Sequence, residues 1–245
     1  MCFRVIHKIK SNSMVRLEKV VIVLLSVAMS HSLFGQKVSN IDFDEIKLAT
    51  QDSSSNYYYP SLIERFYNLD ASLSKKEYEY IYFGNVFTDH YNPYGSSESE
   101  KKFLEMFRQG KFDEAVLYGQ EVISENPVNL GILFRMLICH HRLGDKVNAQ
   151  KYADMYYPLI SAIYRSGDGK SIKTAYVVIK VSDEYVVLND LDLTMTKQAL
   201  VGYTDVLTIN TIGQKAPKGQ KKIKSLYFNV SKPFESLQRL FKKEE

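Results

Sequence analysis

The chain has 245 residues and a formal charge of +4 at pH 7, with 45% apolar and 24% charged side chains, 12 glycines and 6 prolines. That balance excludes a disordered chain, a collagen-like repeat and a multi-pass membrane protein, and the length allows one or two domains. The charge is not spread evenly along the chain, and its distribution decides what it implies.

Residues 14–36 open Met14-Val-Arg16-Leu-Glu18-Lys19, continue through the apolar run Val20 to Met29, and end Leu33-Phe34-Gly35-Gln36. A short basic segment, an apolar stretch too short to span a bilayer and a small residue before a polar start describe a secretory signal peptide. Cleavage is expected after Gly35, with Leu33 standing where a small residue is usual; a membrane anchor that stays attached is the alternative. Residues 1–13 have no structural logic of their own, so Met14 is the alternative true start. Without residues 1–35 the chain keeps 27 basic and 27 acidic residues. The mature protein is therefore neutral, with no basicity to argue for nucleic acid and no integral membrane span. Cys139 is its one cysteine, so no intramolecular disulfide can form.

The first part of the mature chain reads as helical. Asp42 with Glu45, Ser74 with Glu77, and Ser97 with Glu100 have capping-box spacing and predict helices near 43–50, 75–87 and 98–109. Another is predicted from Pro60 to Leu69, with proline at its tolerated first position. The stretch from Tyr91 to Ser97 is a turn-rich loop. Between 96 and 163 four residues recur at an offset of 34: Arg108 as Arg142, Gly110 as Gly144, Ala115 as Ala149 and Tyr118 as Tyr152. Gly110, Phe112, Ala115, Tyr118, Val122 and Pro127 follow the second-helix half of a tetratricopeptide repeat, in which a glycine closes the turn and a small residue lets helices approach. Phe103 and Leu137 stand where that repeat puts a small residue on the first helix. The region is TPR-like.

After Gly167-Asp-Gly169 the pattern changes to strands. Val177–Val181 and Tyr185–Leu188, flanking Ser182-Asp-Glu184, predict a β-hairpin. Leu191 to Thr196 alternates as a half-buried strand does, and Tyr203–Ile209 and Ile223–Val230 follow. Phe234, Leu237, Leu240 and Phe241 make one apolar face of a final helix. The expected fold is α+β: TPR-like helical hairpins over 36–165, then a small antiparallel β-sheet with a C-terminal helix over 166–245.

No motif specifies a reaction. Gly169-Lys170-Ser171 resembles the tail of a phosphate-binding loop, but Tyr164 occupies the position of its first glycine and a strand follows. Cys139-His140-His141 lacks zinc-ligand spacing, and adjacent helical residues diverge by about 100°; Cys139 reads as a core residue. Asp183 and Glu184 read as solvated turn acids, and Asp190 and Asp192 as a strand entry. No metal, cofactor or catalytic residue is implied.

Tyrosine is over-used, with 18 residues against no tryptophan, and nine of them fall between Tyr57 and Tyr94. An apolar ring with a polar tip suits recognition at a half-wet surface, so Tyr57, Tyr58, Tyr59, His90, Tyr91 and Tyr94 are candidate binding residues. Residues 36–165 carry a net charge of −4 and residues 166–245 one of +4, with Lys215, Lys218, Lys221, Lys222 and Lys224 close together. Those lysines are either a solvated edge-guarding loop or a patch for an anionic glycan or headgroup.

The leader ending Phe34-Gly35-Gln36, the opening Ile41-Asp-Phe-Asp-Glu-Ile46, Tyr57-Tyr-Tyr-Pro60, His90-Tyr-Asn-Pro-Tyr-Gly95 and Leu226-Tyr-Phe-Asn-Val230 resemble a family of exported Bacteroidota proteins known as a domain of unknown function, of the 4919 type. The resemblance implies a Gram-negative envelope location and supplies no catalytic residues. The resulting expectation is a periplasmic or secreted, non-enzymatic module that binds an envelope protein or a peptide. A hydrolase using carboxylates near the helix/strand junction and a glycan-binding protein using surface tyrosines are the alternatives.

Overall fold

Side-chain caps set where the first helices begin. The computed structural model describes residues 41–211 and 223–241, so the signal-peptide segment and Lys215, Lys218, Lys221 and Lys222 lie outside the described residues. Asp42 accepts from the backbone N–H groups of Asp44 and Glu45 and opens α1 (Phe43–Gln51). Helix α2 (Tyr59–Tyr67) has no side-chain cap; its first turn holds Pro60, which has no N–H to leave unsatisfied. Ser74 and Glu77 close a reciprocal capping box at α3 (Lys75–Gly84), and Ser97 accepts from the Glu100 N–H at α4 (Glu98–Arg108).

Two helical hairpins follow, α4 with α5 (Phe112–Glu125) and α6 (Leu130–Arg142) with α7 (Lys146–Ser166). Their turns are built alike. Gly110 and Gly144 take φ of +72° and +75°, a conformation that costs glycine nothing. After each, the chain folds back to satisfy the last helical carbonyls: Lys111 N–H donates to Met106 O and Asp145 N–H to His140 O. The bulky Phe103 is accommodated from the opposite helix. A Cβ placed on Gly119 of α5 would come within 2.8 Å of the Phe103 ring, so the small residue sits across the hairpin from its expected place. Ala153, 34 residues on, is likewise small and buried.

Helix α7 is the pivot, packing against α6, α3 and the edge of the sheet. Arg165 near its end ties it to α3, its Nε 2.6 Å from Glu79 Oε1 and its Nη2 donating to Lys75 O at 2.9 Å.

Of the predicted hairpin only Val177 is strand, in β1 (Tyr176–Val177), and Ser182–Asp190 is instead a helix, α8. Val186, Val187 and Leu188 are all buried, and a short apolar run wanted on several faces at once reads the same for a buried helix as for a buried strand. Ser182, Asp183 and Glu184 form the first turn, where acids meet the positive end of the helix. Three further strands lie where strands were expected, with shifted ends: β2 (Leu193–Val201), which starts two residues later than predicted because α8 runs to Asp190 and ends five later, β3 (Thr204–Thr211) and β4 (Ser225–Asn229), with α9 (Ser231–Phe241) after them. The sheet order is β1-β4-β3-β2. The β2–β3 and β3–β4 pairs are antiparallel as predicted, whereas β1 joins β4 in parallel, which is possible because α8 and the β2–β3 hairpin intervene between them in place of a turn. The class is thus α+β with a mixed four-stranded sheet. Helices and sheet share one apolar core that includes Phe66, Phe103, Tyr156, Val177, Leu207 and Phe228. No helix among the described residues is long and apolar enough to cross a membrane.

Much of the tyrosine holds this body together. The Tyr67 hydroxyl donates to Ile123 O at 2.7 Å and Tyr91 to Ile179 O at 2.6 Å. Tyr80 donates to Glu45 at 2.7 Å, Tyr82 to Asp183 at 2.6 Å and Tyr164 to Asp190 at 2.5 Å. Each ring contributes apolar area and each hydroxyl finds an acceptor far away in sequence.

Candidate functional site

The loop after α3 and the connection between α5 and α6 enclose a polar cleft of about 400 Å³, lined among others by His90, Ser97, Glu100, Glu125, Asn129 and Lys180. Ser97 and Glu100 reach it because the cap that starts α4 presents both at its rim. Lys180 lies 3.8 Å from Glu100, both side chains part-buried. This ion pair joins the acidic helical part of the chain to the basic strand part. Glu100 and Asn129 also line a second groove of about 400 Å³, walled by Leu104 and Phe107 of α4, Phe134 and Arg135 of α6, and Tyr185 and Val186 of α8. Cleft and groove are therefore neighbours that share two lining residues, one polar and the other largely apolar and aromatic.

Beneath the cleft lies a recess of about 10 Å³ bordered by Tyr91, Asn126, Asn129, Lys180 and Asp183, a volume on the order of a single water. Asn126 Oδ1 and Asn129 Nδ2 are buried there without a hydrogen-bond partner among the described residues. Asn129 uses its Oδ1 to cap α6.

The two acids of α8 are buried, which corrects the expectation that they are solvated. Asp183 accepts from the Tyr82 hydroxyl, which itself accepts from Ile179 N–H at 3.3 Å. Burial pushes the Asp183 carboxyl up to about 7, against the opposing effects of Tyr82 and Lys180. Glu184 is 0% exposed, and neither carboxyl oxygen meets an N–H or hydroxyl donor among the described residues. Its polar neighbour is another carboxylate, Asp205, whose Oδ2 accepts from Gln198 at 2.9 Å. Burial first, then Asp205, pushes Glu184 up to about 9, so it holds a proton at neutral pH.

Of the candidate binding residues, His90 is exposed at the cleft and Tyr91 borders the recess below it. Tyr94, 46% exposed, lies in the same loop. The three consecutive tyrosines are elsewhere. Tyr57 stacks on Tyr80 at 4.3 Å with the Lys76 ammonium above both rings, Tyr58 precedes α2, and the Tyr59 hydroxyl donates to Ile81 O and accepts from Asn85. Cys139 is a core residue whose thiol burial pushes up to about 11. The His140 ring stacks on Tyr152, with Nδ1 3.1 Å from Asp145. Among the described residues no group of three or more His, Cys, Asp or Glu is placed to hold a metal.

Glu100, Asn129, Arg135 and Lys180 were not among the sequence candidates. One of them had a visible signal: Arg135 is the one charged residue in the run Leu130 to Cys139. The others become neighbours only through long-range packing.

Taken together, these features define an α+β protein whose helices and sheet share a core beneath a two-part surface groove. Residues 44–239 match the family model described as Domain of unknown function (DUF4919), and the chain belongs to that family. A search of curated proteins and a search of solved structures each returned no match.

Proposed function

We propose that this is an exported Bacteroidota envelope protein, periplasmic or secreted, that binds an extended segment of another envelope protein or a peptide. The observation carrying this is the adjacency of the polar cleft and the aromatic-walled groove, which share Glu100 and Asn129. A pocket of that size with an apolar body and a few polar groups suits a peptide, whose side chains can fill the groove while its amides meet the polar cleft. The paired hairpins with matching glycine turns support calling the helical part TPR-like, and the leader pattern of residues 14–36 supports export.

The binding test is selection of random peptides on the immobilised protein. Peptides enriched on the wild type are expected to lose binding to Tyr185→Glu, which puts a charge on the half-exposed ring at the groove wall. Selection that enriches nothing, or peptides indifferent to this substitution, would overturn the reading. Export predicts an N-terminus at Gln36 for protein recovered from the periplasm or medium; an uncleaved protein confined to the cytoplasm contradicts it.

Carboxylate hydrolysis has one observation in its favour, the Asp183 carboxyl pushed up to about 7 beneath the cleft. Access counts against it, since Asp183 is 4% exposed and the recess beside it is no larger than about one water.

A further inference from the structure

Arg135 is placed as no other cation of the groove is. It lies in the middle of α6, in a groove whose apolar lining includes Leu104, Phe107, Phe134, Ile138 and Tyr185 and whose acids are Glu100 and Asp190. Its guanidinium carbon lies 5.9 Å from the Phe107 ring centre, and Nη1 donates to Gly131 O at 2.8 Å. The guanidinium has five N–H donors, and this is the one side-chain hydrogen bond found for it among the described residues. No carboxylate there lies within ion-pair distance of it. Glu100 is the acid that acts on it, and Glu100 is paired with Lys180. The other acid of the groove, Asp190, accepts from Tyr164. Burial lowers the guanidinium's pKa and Glu100 opposes this only in part, which marks a charge held partly out of water without an ion-pair partner among the described residues.

We propose that Arg135 anchors the carboxylate of an Asp or Glu side chain within the peptide segment bound in the groove. The inference rests on the peptide-binding reading and names the chemistry that reading leaves open. A planar guanidinium presents paired donors that match a carboxylate, and a half-desolvated setting strengthens the pair. The groove argues for an internal side chain rather than a chain terminus. It follows α6 on both sides of Arg135, past Gly131 and Ile132 in one direction and Ile138 in the other, so a bound segment runs past the guanidinium instead of ending at it. Apolar residues are expected on either side of the acid, to cover the aromatic walls.

The experiment is a parallel selection of random peptides on the wild type and on Arg135→Leu, whose apolar replacement suits the groove and whose fold is verified by circular dichroism. Peptides from the wild type are expected to carry an Asp or Glu flanked by apolar residues, and those from Arg135→Leu to lack it. Changing the acid to its amide should weaken binding to the wild type roughly tenfold or more and leave binding to Arg135→Leu unchanged. Amidating the peptide's C-terminus should change neither. Groove-binding peptides with no acidic preference would overturn this inference and leave the peptide-binding reading standing. An effect of C-terminal amidation in place of the side-chain change would assign Arg135 to a chain terminus and equally overturn it. Failure to select any peptide defeats both.

Discussion

Glu184→Gln is expected to raise the stability of the protein at alkaline pH and to flatten its dependence on pH. The Glu184 carboxyl is fully buried beside Asp205 and is pushed up to about 9, whereas in the unfolded chain it titrates near 4.5. Below the unfolded value both states are protonated and the site is neutral in its effect. Between the two values the folded protein keeps a proton that the unfolded chain releases, so rising pH favours unfolding. Asp183, pushed up to about 7, acts with the same sign over the lower part of that interval. Asp70 works the other way. Held down to about 2 by Ser72 and Arg65, it contributes stability that is lost as pH falls through the acid range. The unfolding free energy should therefore be highest near pH 5 and fall toward pH 9, by an amount on the order of a few kcal/mol for the buried acids together, with the thermal midpoint moving in the same direction. An amide at 184 cannot ionise and can still donate to Asp205, so the alkaline decline should shrink. A wild type that gains stability from pH 5 to pH 9, or a variant with the same slope, would refute the assignment.

Phe103→Ala is expected to cost roughly 3–5 kcal/mol in denaturant unfolding, the range for deleting a large buried ring. Phe103 has no exposure, stacks on Phe107 with ring centres 6.0 Å apart, and lies against the bare backbone of Gly119. Gly119→Ala should cost about 1–3 kcal/mol by overpacking, partly offset by the better helix propensity of alanine. The informative variant is the double one. With the ring gone, the alanine methyl still meets Met136 Sδ, its nearest neighbour, but that flexible thioether can move into the vacated space, so Phe103→Ala with Gly119→Ala should be less unstable than the two separate costs imply. Additive losses would mean that the two residues do not share the space assigned to them.

This pair also shows what can be read from one sequence. The 34-residue spacing placed both glycine turns and the capping residues placed three helix starts, because those signals are local and each rests on the chemistry of one or two residues. Phe103 looked out of place because its compensating glycine lies 16 positions away on another helix. The segment 177–188 was misread for a related reason. Its valines report burial, and burial comes from α6, the sheet and the loop around Tyr91 rather than from the segment itself. The same cause hid Asp183 and Glu184, which have the composition of a turn and the surroundings of a core. His90 was legible as a candidate because its loop is rich in polar and aromatic residues. Arg135 was legible in principle, as the single charge in an apolar helix. Asn129, Glu100 and Lys180, scattered over some eighty residues, could be grouped only by the fold.

The tyrosine hydroxyls that bind distant segments also determine how the protein responds to light. With no tryptophan in the chain, its ultraviolet emission comes from tyrosine. At least three of those phenols, Tyr80, Tyr82 and Tyr164, hand their hydrogen bonds to the carboxylates of Glu45, Asp183 and Asp190. Proton sharing with a carboxylate is an efficient route for an excited phenol to lose its energy without radiating. The folded protein is therefore expected to emit weakly from these phenols, each held by a contact between parts of the chain far apart in sequence, and to brighten as those parts separate. Its intrinsic brightness should then report folding, without a label, at the very contacts that join its helices to one another and to the segment leading into the sheet.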